Sequence, residues 1–408
     1  MNDQSPAAIG RASLPRPAVR GVVARLLHRV LDRIDSGMAS GAIETLMPDG
    51  TRRVLGGRSA GTVAGLHIVR WRALIRLATG GSSGWYVAWD KGEWTSPDPV
   101  ALFEVLSANR RTLGDGARAR GVSRRLRHLL HLAHRNSRAG ARRNVAAHYD
   151  LGNDFYAAWL DPTLSYSSAL FESPGEPLAE AQHRKLAAIL ARTNTQPGDT
   201  LLEIGCGWGS FVAIAAKAGR HVHAITLSAE QQASVAAKAL PNVAVTLTDY
   251  RDVTQVYDGI ASIEMVEAVG QDYWPDYLAV IARALRPGGR AAIQYIVIDD
   301  AIFESYAANA DFIQRYVFPG GMLLSRARFK ALAEMHGLDW RDERAFGADY
   351  AETLRRWRLA FDAAVTAGRL PDRFDSKFIR LWRFYLMYCE GGFRGGGIDV
   401  AQVTLVKR

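Results

Sequence analysis

Three glycines alternate with other residues directly after a short apolar run, a spacing that brings the backbone close to a ligand. Gly205, Gly207 and Gly209 follow the run Leu201–Ile204, and glycine lets a chain turn sharply against a bound molecule. A helix-like stretch and a second strand-like run, His221–Thr226, come next. The pattern predicts a nucleotide-binding strand–helix–strand unit with GxGxG rather than dinucleotide GxGxxG spacing. A tight turn without a ligand is the alternative interpretation.

Two further features near this turn suggest a pocket. Glu203 lies in the first strand, where an acidic residue is common when the ligand is S-adenosylmethionine. Upstream, the segment Asn144–Phe171 concentrates polar and aromatic side chains, among them His148, Tyr149 and Trp159. A purely structural element does not need so many of them together, so we predict that this segment forms a pocket rim.

The elements around the turn alternate between strand-like and helix-like patterns, which predicts a parallel, doubly wound α/β sheet. The later strands are predicted at Val243–Leu247, Ile260–Ile263, Ala291–Ile298, Leu338–Arg344 and Val400–Val406, the last of them antiparallel. The stretch Arg286–Gly289 is predicted as the turn into the fifth strand. Helical patterns at Tyr350–Ala367 and Ser376–Cys389 form an insertion where a lid would be built.

The first hundred residues predict a small α+β domain in which we identify no catalytic constellation. Its helices are predicted at Val22–Ile34, which is amphipathic and basic, and at Pro99–Asn109, and its strands at Ile43–Met47, His67–Leu77 and Trp85–Trp89. The first helix could pack on its own domain or lie on a lipid surface, and we favour packing.

Positive charge is concentrated in one stretch. The net charge is +10, and eleven arginines stand between residues 110 and 143 against one acid, Asp115. A helix predicted at Ser123–Arg135 carries basic beside apolar residues, which suits an anionic membrane surface. Nucleic acid is disfavoured because no aromatic residues are interleaved for stacking. A solvated helix without a partner, or an arginine-rich composition inherited from a high-GC genome, is the alternative.

The remaining composition favours the cytoplasm, with peripheral attachment to the inner face of the membrane. No run of about 18 apolar residues predicts a membrane span, residues 1–20 lack the apolar core of a signal peptide, and two cysteines are too few for a disulfide framework or a metal cluster. We predict a disordered tail at 1–20, an accessory domain at 21–109, a basic linker and helix at 110–143 and the principal domain at 144–408.

Nine motifs occur in a fixed order: HYDLGNDFY, SYSSALF, LEIGCGWGSF, ITLSAEQ, DYRD, EMVEAVG, FPGG, GADYAETLRRW and the ending YCEGGFRGGGIDVAQVTLVKR. Together they closely resemble the cyclopropane-fatty-acyl-phospholipid synthase family, which includes the mycolic acid cyclopropane synthases. The resemblance runs from about residue 140 to the end. It implies a seven-stranded, Rossmann-like class I methyltransferase sheet with a helical lid insertion, preceded by the small N-terminal α+β domain.

The resemblance also implies an activity. Family members transfer a methyl group from S-adenosylmethionine to the cis double bond of a phospholipid acyl chain, and loss of a proton from the added methyl closes a cyclopropane ring. A methylene- or methyl-branched chain, N-methylation of a small amine, and a lipid- or nucleotide-binding protein without catalysis are the alternatives. The oligomeric state, a homodimer included, stays open.

Site residues are carried over from the family position by position. The residues expected around the cofactor are Tyr166, Ser167, Glu203, Gly205, Gly207, Gly209, Thr226, Leu227, Gln231, Tyr250 and Arg251. In the family a bound bicarbonate is thought to be the base, and the matching positions are Ser168, Glu267, Gln294, the Ile296 backbone and Tyr350. The carbocation needs aromatic faces, for which the candidates are Tyr149, Phe155, Tyr166, Tyr316, Phe318 and Tyr350.

Two of these positions depart from the best-known members of the family. Ser168 stands where those members have cysteine, and Gln294 stands where they have histidine. Glutamine can donate a hydrogen bond to an anion but cannot titrate as histidine does, so we expect a weaker bicarbonate site here, and proton removal is the step that these departures affect. Cys389 matches a cysteine often marked as the active residue, and it is either a packing or a pocket residue.

Overall fold

The structure is a computed structural model that describes residues 22–114 and 151–408, with side chains from Leu27 onward in the first range. Several predictions therefore lie outside the described residues: the tail at 1–20, the helix at Ser123–Arg135 with most of the basic linker, and the start of the pocket rim at 144–150. Among the described helices, none is long and apolar enough to cross a bilayer.

The N-terminal domain packs helices against a small sheet. Its elements are α1 (Val22–Gly37), β1 (Ala42–Leu46), β2 (Arg52–Gly56), β3 (Val63–Ile68), α2 (Arg72–Asp90), β4 (Trp94–Thr95), α3 (Pro99–Ala108) and α4 (Arg110–Leu113). The strand order is β2-β1-β3-β4, with β1 and β3 parallel. Leu27, Leu31 and Ile34 are buried at helical spacing on α1, so the described part of this helix packs on its own domain.

The strand predictions at His67–Leu77 and Trp85–Trp89 are wrong beyond Ile68, because α2 occupies this region. Its buried residues include Leu74, Trp85 and Tyr86. Short apolar and aromatic runs do not distinguish a buried helix from a strand by periodicity alone. The backbone leaves helical geometry at Gly81, with φ 57° and ψ −145°, and this kink interrupts the 3.6-residue pattern that would have shown a helix.

The C-terminal domain alternates strands and helices. Its elements are α5 (Asn153–Ala157), α6 (Leu178–Thr193), β5 (Thr200–Ile204), α7 (Ser210–Lys217), β6 (His221–Thr226), α8 (Ala229–Ala236), β7 (Val243–Leu247), β8 (Tyr257–Ile263), α9 (Trp274–Ala284), β9 (Leu285–Ile298), α10 (Asp300–Ala307), α11 (Phe312–Tyr316), β10 (Leu324–Ser325), α12 (Arg326–Met335), β11 (Leu338–Ala345), α13 (Gly347–Thr366), α14 (Ser376–Arg394) and β12 (Ile398–Lys407), with 3₁₀ turns at Tyr250–Asp252, Val266–Ala268 and Gln271–Tyr273.

The main path of the second sheet has the order β7-β6-β5-β8-β9-β12-β11. Strand β12 runs antiparallel to both of its neighbours, β9 and β11. The other strand pairs along this path are parallel. The predicted class I methyltransferase sheet is therefore confirmed, with one addition: the two-residue strand β10 pairs parallel with β9. The predicted turn Arg286–Gly289 lies within the bounds of β9, where the pairing with β8 is irregular.

Helix α14 joins the two domains through its glycines. A Cβ atom on Gly391 would lie 2.7 Å from the Val100 carbonyl oxygen, and one on Gly395 would lie 2.6 Å from the Ser107 Cβ. Only glycine permits this approach of α14 to α3. Rings continue the contact, since Phe384 lies 5.3 Å from Phe103 between ring centroids. One hydrophobic cluster consequently includes residues of both domains.

Candidate functional site

A cavity of about 180 Å³ lies at the carboxyl ends of β5 and β6, the edge at which parallel sheets bind ligands. Its lining includes every residue predicted to touch the cofactor except Gly209: Tyr166, Ser167, Glu203, Gly205, Gly207, Thr226, Leu227, Gln231, Tyr250 and Arg251. The structure thus brings together residues from four separate motifs.

The glycine turn has the backbone geometry that its spacing predicts. Gly205, Gly207 and Gly209 have φ values of 83°, 50° and 80°, which disfavour residues with a Cβ atom. A Cβ on Gly205 would also lie 2.9 Å from Met265 Cγ, and one on Gly209 the same distance from Val235 Cγ2. Gly209 therefore shapes the turn from outside the cavity, and Gly205 and Gly207 form its wall.

Two buried ionisable residues face this cavity. The Glu203 Oε2 atom is buried without a hydrogen-bond partner in the described residues, and burial raises the pKa of this carboxyl to about 8. Lys185 donates a hydrogen bond of 2.6 Å to Ser167 Oγ, and burial lowers the pKa of its ammonium to about 8. An unpartnered carboxyl oxygen beside a glycine cradle fits a ligand with a positive charge, because such a ligand would favour the ionised form of the carboxyl. S-adenosylmethionine carries such a charge.

The side chains at the other end of the cavity are polar and are held by hydrogen bonds and an ion pair. Thr226 Oγ1 donates to Gln231 Oε1 at 2.7 Å, while the guanidinium of Arg251 forms an ion pair of 2.6 Å with Asp249 and lies 5.4 Å from the centroid of the Tyr250 ring. These contacts fix side chains that the resemblance assigns to the ribose and adenine.

A second cavity, of about 380 Å³, adjoins the first and is lined by both domains. Tyr166, Glu264 and Ala268 line both cavities. The N-terminal domain contributes mainly apolar side chains to this wall, and its polar lining residues are Ser82, Ser107 and Arg110. The apolar ones include Leu31, Ile34, Ile43, Leu55, Leu66, Leu74, Leu77, Leu102 and Phe103. The domain that showed no catalytic constellation therefore builds a large part of the pocket.

Glu264 is a central residue of this region, and sequence reasoning did not select it. Its Oε1 atom accepts hydrogen bonds of 2.8 Å from the Ser168 N–H and from Gln294 Nε2. Its Oε2 atom accepts one of 2.6 Å from the Tyr350 hydroxyl. Burial raises the pKa of this carboxyl, and these three donors oppose the shift. A second carboxylate three residues before Glu267, at the end of a strand, was the available signal.

Ser168 and Gln294 lie behind Glu264 and belong to the lining of neither cavity. Ser168 is fully buried, and its hydroxyl donates to the Ala169 carbonyl at 2.9 Å. The Gln294 amide oxygen accepts a hydrogen bond of 3.0 Å from Gln402 Nε2, which turns the Gln294 NH₂ group towards Glu264. Both residues hold this carboxylate and do not contact the cavities.

Glu267 faces the larger cavity. Its Oε1 atom accepts a hydrogen bond from the Ile296 N–H, and its Oε2 atom is buried without a hydrogen-bond partner in the described residues. Burial first, and then the neighbouring charge of Glu264, raise the pKa of Glu267 to about 8. Two carboxyl groups thus stand beside one apolar chamber.

The groups that the resemblance assigned to bicarbonate already donate hydrogen bonds to side chains of the protein. The Ser168 N–H, Gln294 amide and Tyr350 hydroxyl donate to Glu264, and the Ile296 N–H donates to Glu267. A second anion would sit beside the charge of Glu264 with none of these donors left to it. The residues present therefore do not fit a bicarbonate ion.

Aromatic side chains surround the same chamber. Of the predicted aromatic faces, Tyr166, Phe318 and Tyr350 line it, together with Tyr385 and Phe393, which sequence reasoning missed. The hydroxyls of Tyr166 and Tyr385 lie 2.9 Å apart. Phe155 and Tyr316 are not among the lining residues, and Tyr149 lies outside the described range.

Cys389 lines the larger cavity, so it is a pocket residue. Burial raises the pKa of its thiol, which keeps the sulfur protonated and therefore weakly nucleophilic. A protonated thiol at this place can contact a ligand in the cavity through its sulfur atom.

Comparisons with known proteins show which family this chain resembles. The model of the family described as mycolic acid cyclopropane synthetase matches residues 136–403. Tuberculostearic acid methyltransferase UfaA1 of Mycobacterium tuberculosis is 36% identical, with 97% of this chain and 94% of that protein covered. Cyclopropane-fatty-acyl-phospholipid synthase of Escherichia coli is also 36% identical, over 63% of this chain and 66% of that protein.

Among solved structures, mycolic acid cyclopropane synthase CmaA1 in complex with SAH and CTAB is 31% identical and covers 65% of this chain and 98% of its own, with a TM-score of 0.62. The comparisons confirm S-adenosylmethionine as the cofactor. Since the family model spans more than half of the sequence, the chain belongs to the mycolic acid cyclopropane synthetase family of S-adenosylmethionine-dependent methyltransferases.

Proposed function

We propose that this enzyme methylates the cis double bond of an unsaturated acyl chain carried by a membrane phospholipid. The observation that carries the proposal is the meeting of the cofactor cavity and the apolar cavity at Tyr166, Glu264 and Ala268. A methyl donor in the first cavity and a hydrocarbon in the second would be in contact only there. S-adenosylmethionine, when bound, supplies a methyl group on a positively charged sulfur.

The apolar cavity supports a hydrocarbon substrate. Its volume of about 380 Å³ lies within the range of small-molecule sites, and the N-terminal part of its wall is mostly leucine, isoleucine and aromatic side chains. A small amine would leave most of this surface without a partner. N-methylation of a small amine is therefore the less favoured function.

The residues at the junction suit a cationic intermediate on the acyl chain. Once an alkene carbon has taken the methyl group, its neighbour is an electron-deficient carbon. The ring faces of Tyr166, Tyr350 and Tyr385 can stabilise this charge, and the apolar walls keep water from adding to it. The carboxylate of Glu264, held by three hydrogen bonds, supplies a fixed negative charge at the same place.

The product depends on which proton leaves. Loss of a proton from the added methyl, with its electron pair closing a bond to the cationic carbon, gives the cyclopropane that the motifs predict. A hydride shift before the same loss leaves a methylene group, and loss from a chain carbon leaves a methyl-branched alkene. The methylene and methyl-branched outcomes have a specific argument in their favour. The relative aligned over 97% of this chain is named as a methyltransferase and not as a cyclopropane synthase.

Radiolabelled S-adenosylmethionine with vesicles of an unsaturated phospholipid tests the proposal. We expect label in the acyl chains, and mass spectrometry of the released chains distinguishes ring, methylene and branched products. Vesicles with a saturated phospholipid are the control and should stay unlabelled. Label in a small amine, or no label in any lipid, would contradict the proposal.

Encounter with the membrane is a further part of the proposal. The arginine-rich stretch from 110 to 143 would bring the enzyme to an anionic bilayer. Vesicles with and without anionic lipid should then differ in binding, and the difference should shrink as salt rises. Equal binding to both would remove the membrane role from this stretch.

A further inference from the structure

Glu264 occupies the position in which the donors of the pocket converge. Three groups from three separate elements point to its carboxylate: the Ser168 N–H, the Gln294 amide and the Tyr350 hydroxyl, at 2.8, 2.8 and 2.6 Å. These are the groups that the family resemblance assigned to a free anion. The side chain also borders both cavities, so it lies where the methyl group must pass.

From this arrangement we infer that Glu264 is the resident base of the reaction and takes the place of a bound bicarbonate. This inference rests on the proposed function and names the group that receives the proton. The enzyme accordingly needs no added anion for turnover.

The backbone holds Glu264 in an unusual conformation. Its φ is 49°, in the left-handed region that residues with a Cβ atom seldom adopt. The Glu264 N–H donates to the Gln294 carbonyl at 2.8 Å, so the strand-end geometry and the side-chain donors fix the residue together. A residue held in this way has a carboxylate of defined position and little freedom to rotate.

The two oxygen atoms of Glu264 differ in the room they leave for a proton. Oε1 accepts two hydrogen bonds, from Ser168 and Gln294, whereas Oε2 accepts one, from Tyr350. We therefore assign the proton to Oε2. A C–H bond of the added methyl group breaks, its electron pair closes the new carbon–carbon bond to the cationic carbon, and the proton passes to the carboxylate, which releases it to water after the product leaves.

Glu267 is the neighbouring carboxyl and has a different environment. It has one backbone donor, and its Oε2 atom is buried without a partner among the described residues. Fewer donors stabilise its charged form, and the negative charge of Glu264 opposes a second charge beside it. Of these two carboxyl groups, Glu264 is therefore the one whose ionised form is better stabilised.

Two substitutions test the assignment. Glu264→Gln keeps the shape and removes the charge, and we expect turnover on unsaturated phospholipid vesicles to fall on the order of 100-fold, with S-adenosylmethionine affinity changed little. Glu264→Gly also relieves the left-handed backbone, so it should fold, and it opens space at the converging donors. Added bicarbonate or formate should restore part of its activity.

The wild type and a surface variant complete the experiment. In buffer freed of carbon dioxide the wild type should keep its rate, and Glu44→Gln, at an exposed position, should behave as wild type. A wild-type rate that drops without bicarbonate, an active Glu264→Gln, or a Glu264→Gly that neither anion restores would each overturn the inference. A wild type that labels no lipid under any condition would instead overturn the proposed function.

Discussion

At the scale of single residues, the site is distinguished by ionisable groups whose pKa values are shifted by burial. Burial raises the pKa of both Glu203 and Glu267 to about 8 from the ordinary value of 4.5. Each of these carboxyls has one buried oxygen without a hydrogen-bond partner in the described residues. Unsatisfied buried groups cost stability, so the folded protein tolerates them where a ligand is to be met.

These pKa values predict how stability depends on pH. A carboxyl whose pKa is raised by folding binds its proton more tightly in the folded state. Its contribution to stability is therefore intact below the unfolded value of 4.5 and is lost as pH rises towards 8. For each such group the free energy of unfolding falls by up to about 1.4 kcal/mol per pH unit in this window. We expect Glu267→Gln to reduce this slope by the contribution of about one bound proton.

Urea unfolding of the cofactor-free protein at a series of pH values from about 5 to 7.5 measures the slope. Glu44→Gln changes an exposed glutamate in the N-terminal domain and is the control, with the wild-type slope expected. If Glu267→Gln keeps that slope as well, the Glu267 carboxyl is not protonated in the folded state and its pKa is not raised.

At the scale of elements, the packing of α14 on α3 explains part of the C-terminal motif. Gly391 and Gly395 lie one helical turn apart and face α3. Their neighbours on the same helix line the larger cavity, among them Cys389 and Phe393. The glycines therefore set the distance between the two domains and the position of the pocket wall together.

Gly391→Ala tests this packing. The added Cβ would lie 2.7 Å from the Val100 carbonyl oxygen and against Phe103, and overpacking of this kind typically costs about 1–3 kcal/mol. Gly392→Ala is the matched control on the same helix, because its Cβ would meet only the end of the Ile398 side chain, at 3.1 Å. Helix propensity alone would stabilise either variant by roughly 0.5–1 kcal/mol.

Thermal or urea unfolding of both variants therefore gives opposite signs for the two changes. Gly391→Ala should lose stability and Gly392→Ala should keep or gain it. Equal effects at the two positions would mean that α3 does not approach α14 as closely as the structure has it.

Elements also show what the sequence can and cannot predict. The sheet and the glycine turn were predictable, because periodicity and glycine spacing are local signals. Helix α2 was missed since a kink at Gly81 interrupts its pattern. Glu264 was missed because its role depends on Ser168, Gln294 and Tyr350, which converge only in the folded chain. Residue types alone could not show that a carboxylate fills the predicted anion pocket.

At the scale of the whole molecule, the larger cavity runs between the domains. Its polar end, at Glu264 and Glu267, belongs to the C-terminal domain, and Leu31, Leu55 and Leu66 belong to the core of the N-terminal domain. A chain that reacts beside Glu264 would extend its remaining carbons towards these leucines. The N-terminal domain would thus limit the length of chain beyond the double bond.

Leu66→Phe tests this limit. Leu66 lines the larger cavity but not the cofactor cavity, so a bulkier ring should shorten the accepted chain and leave S-adenosylmethionine affinity unchanged. The assay is a competition between phospholipids whose acyl chains differ in length beyond the double bond. We expect the variant to prefer the phospholipid with the shorter chain by about 10-fold, which is the discrimination that one or two methylene groups give in a hydrophobic pocket. His67→Phe, the next residue of β3 and exposed, adds the same ring outside the cavity and should keep the wild-type preference. An unchanged product distribution in Leu66→Phe, with the protein folded and the cofactor bound, would place the distal part of the chain elsewhere and confine the acyl site to the C-terminal domain.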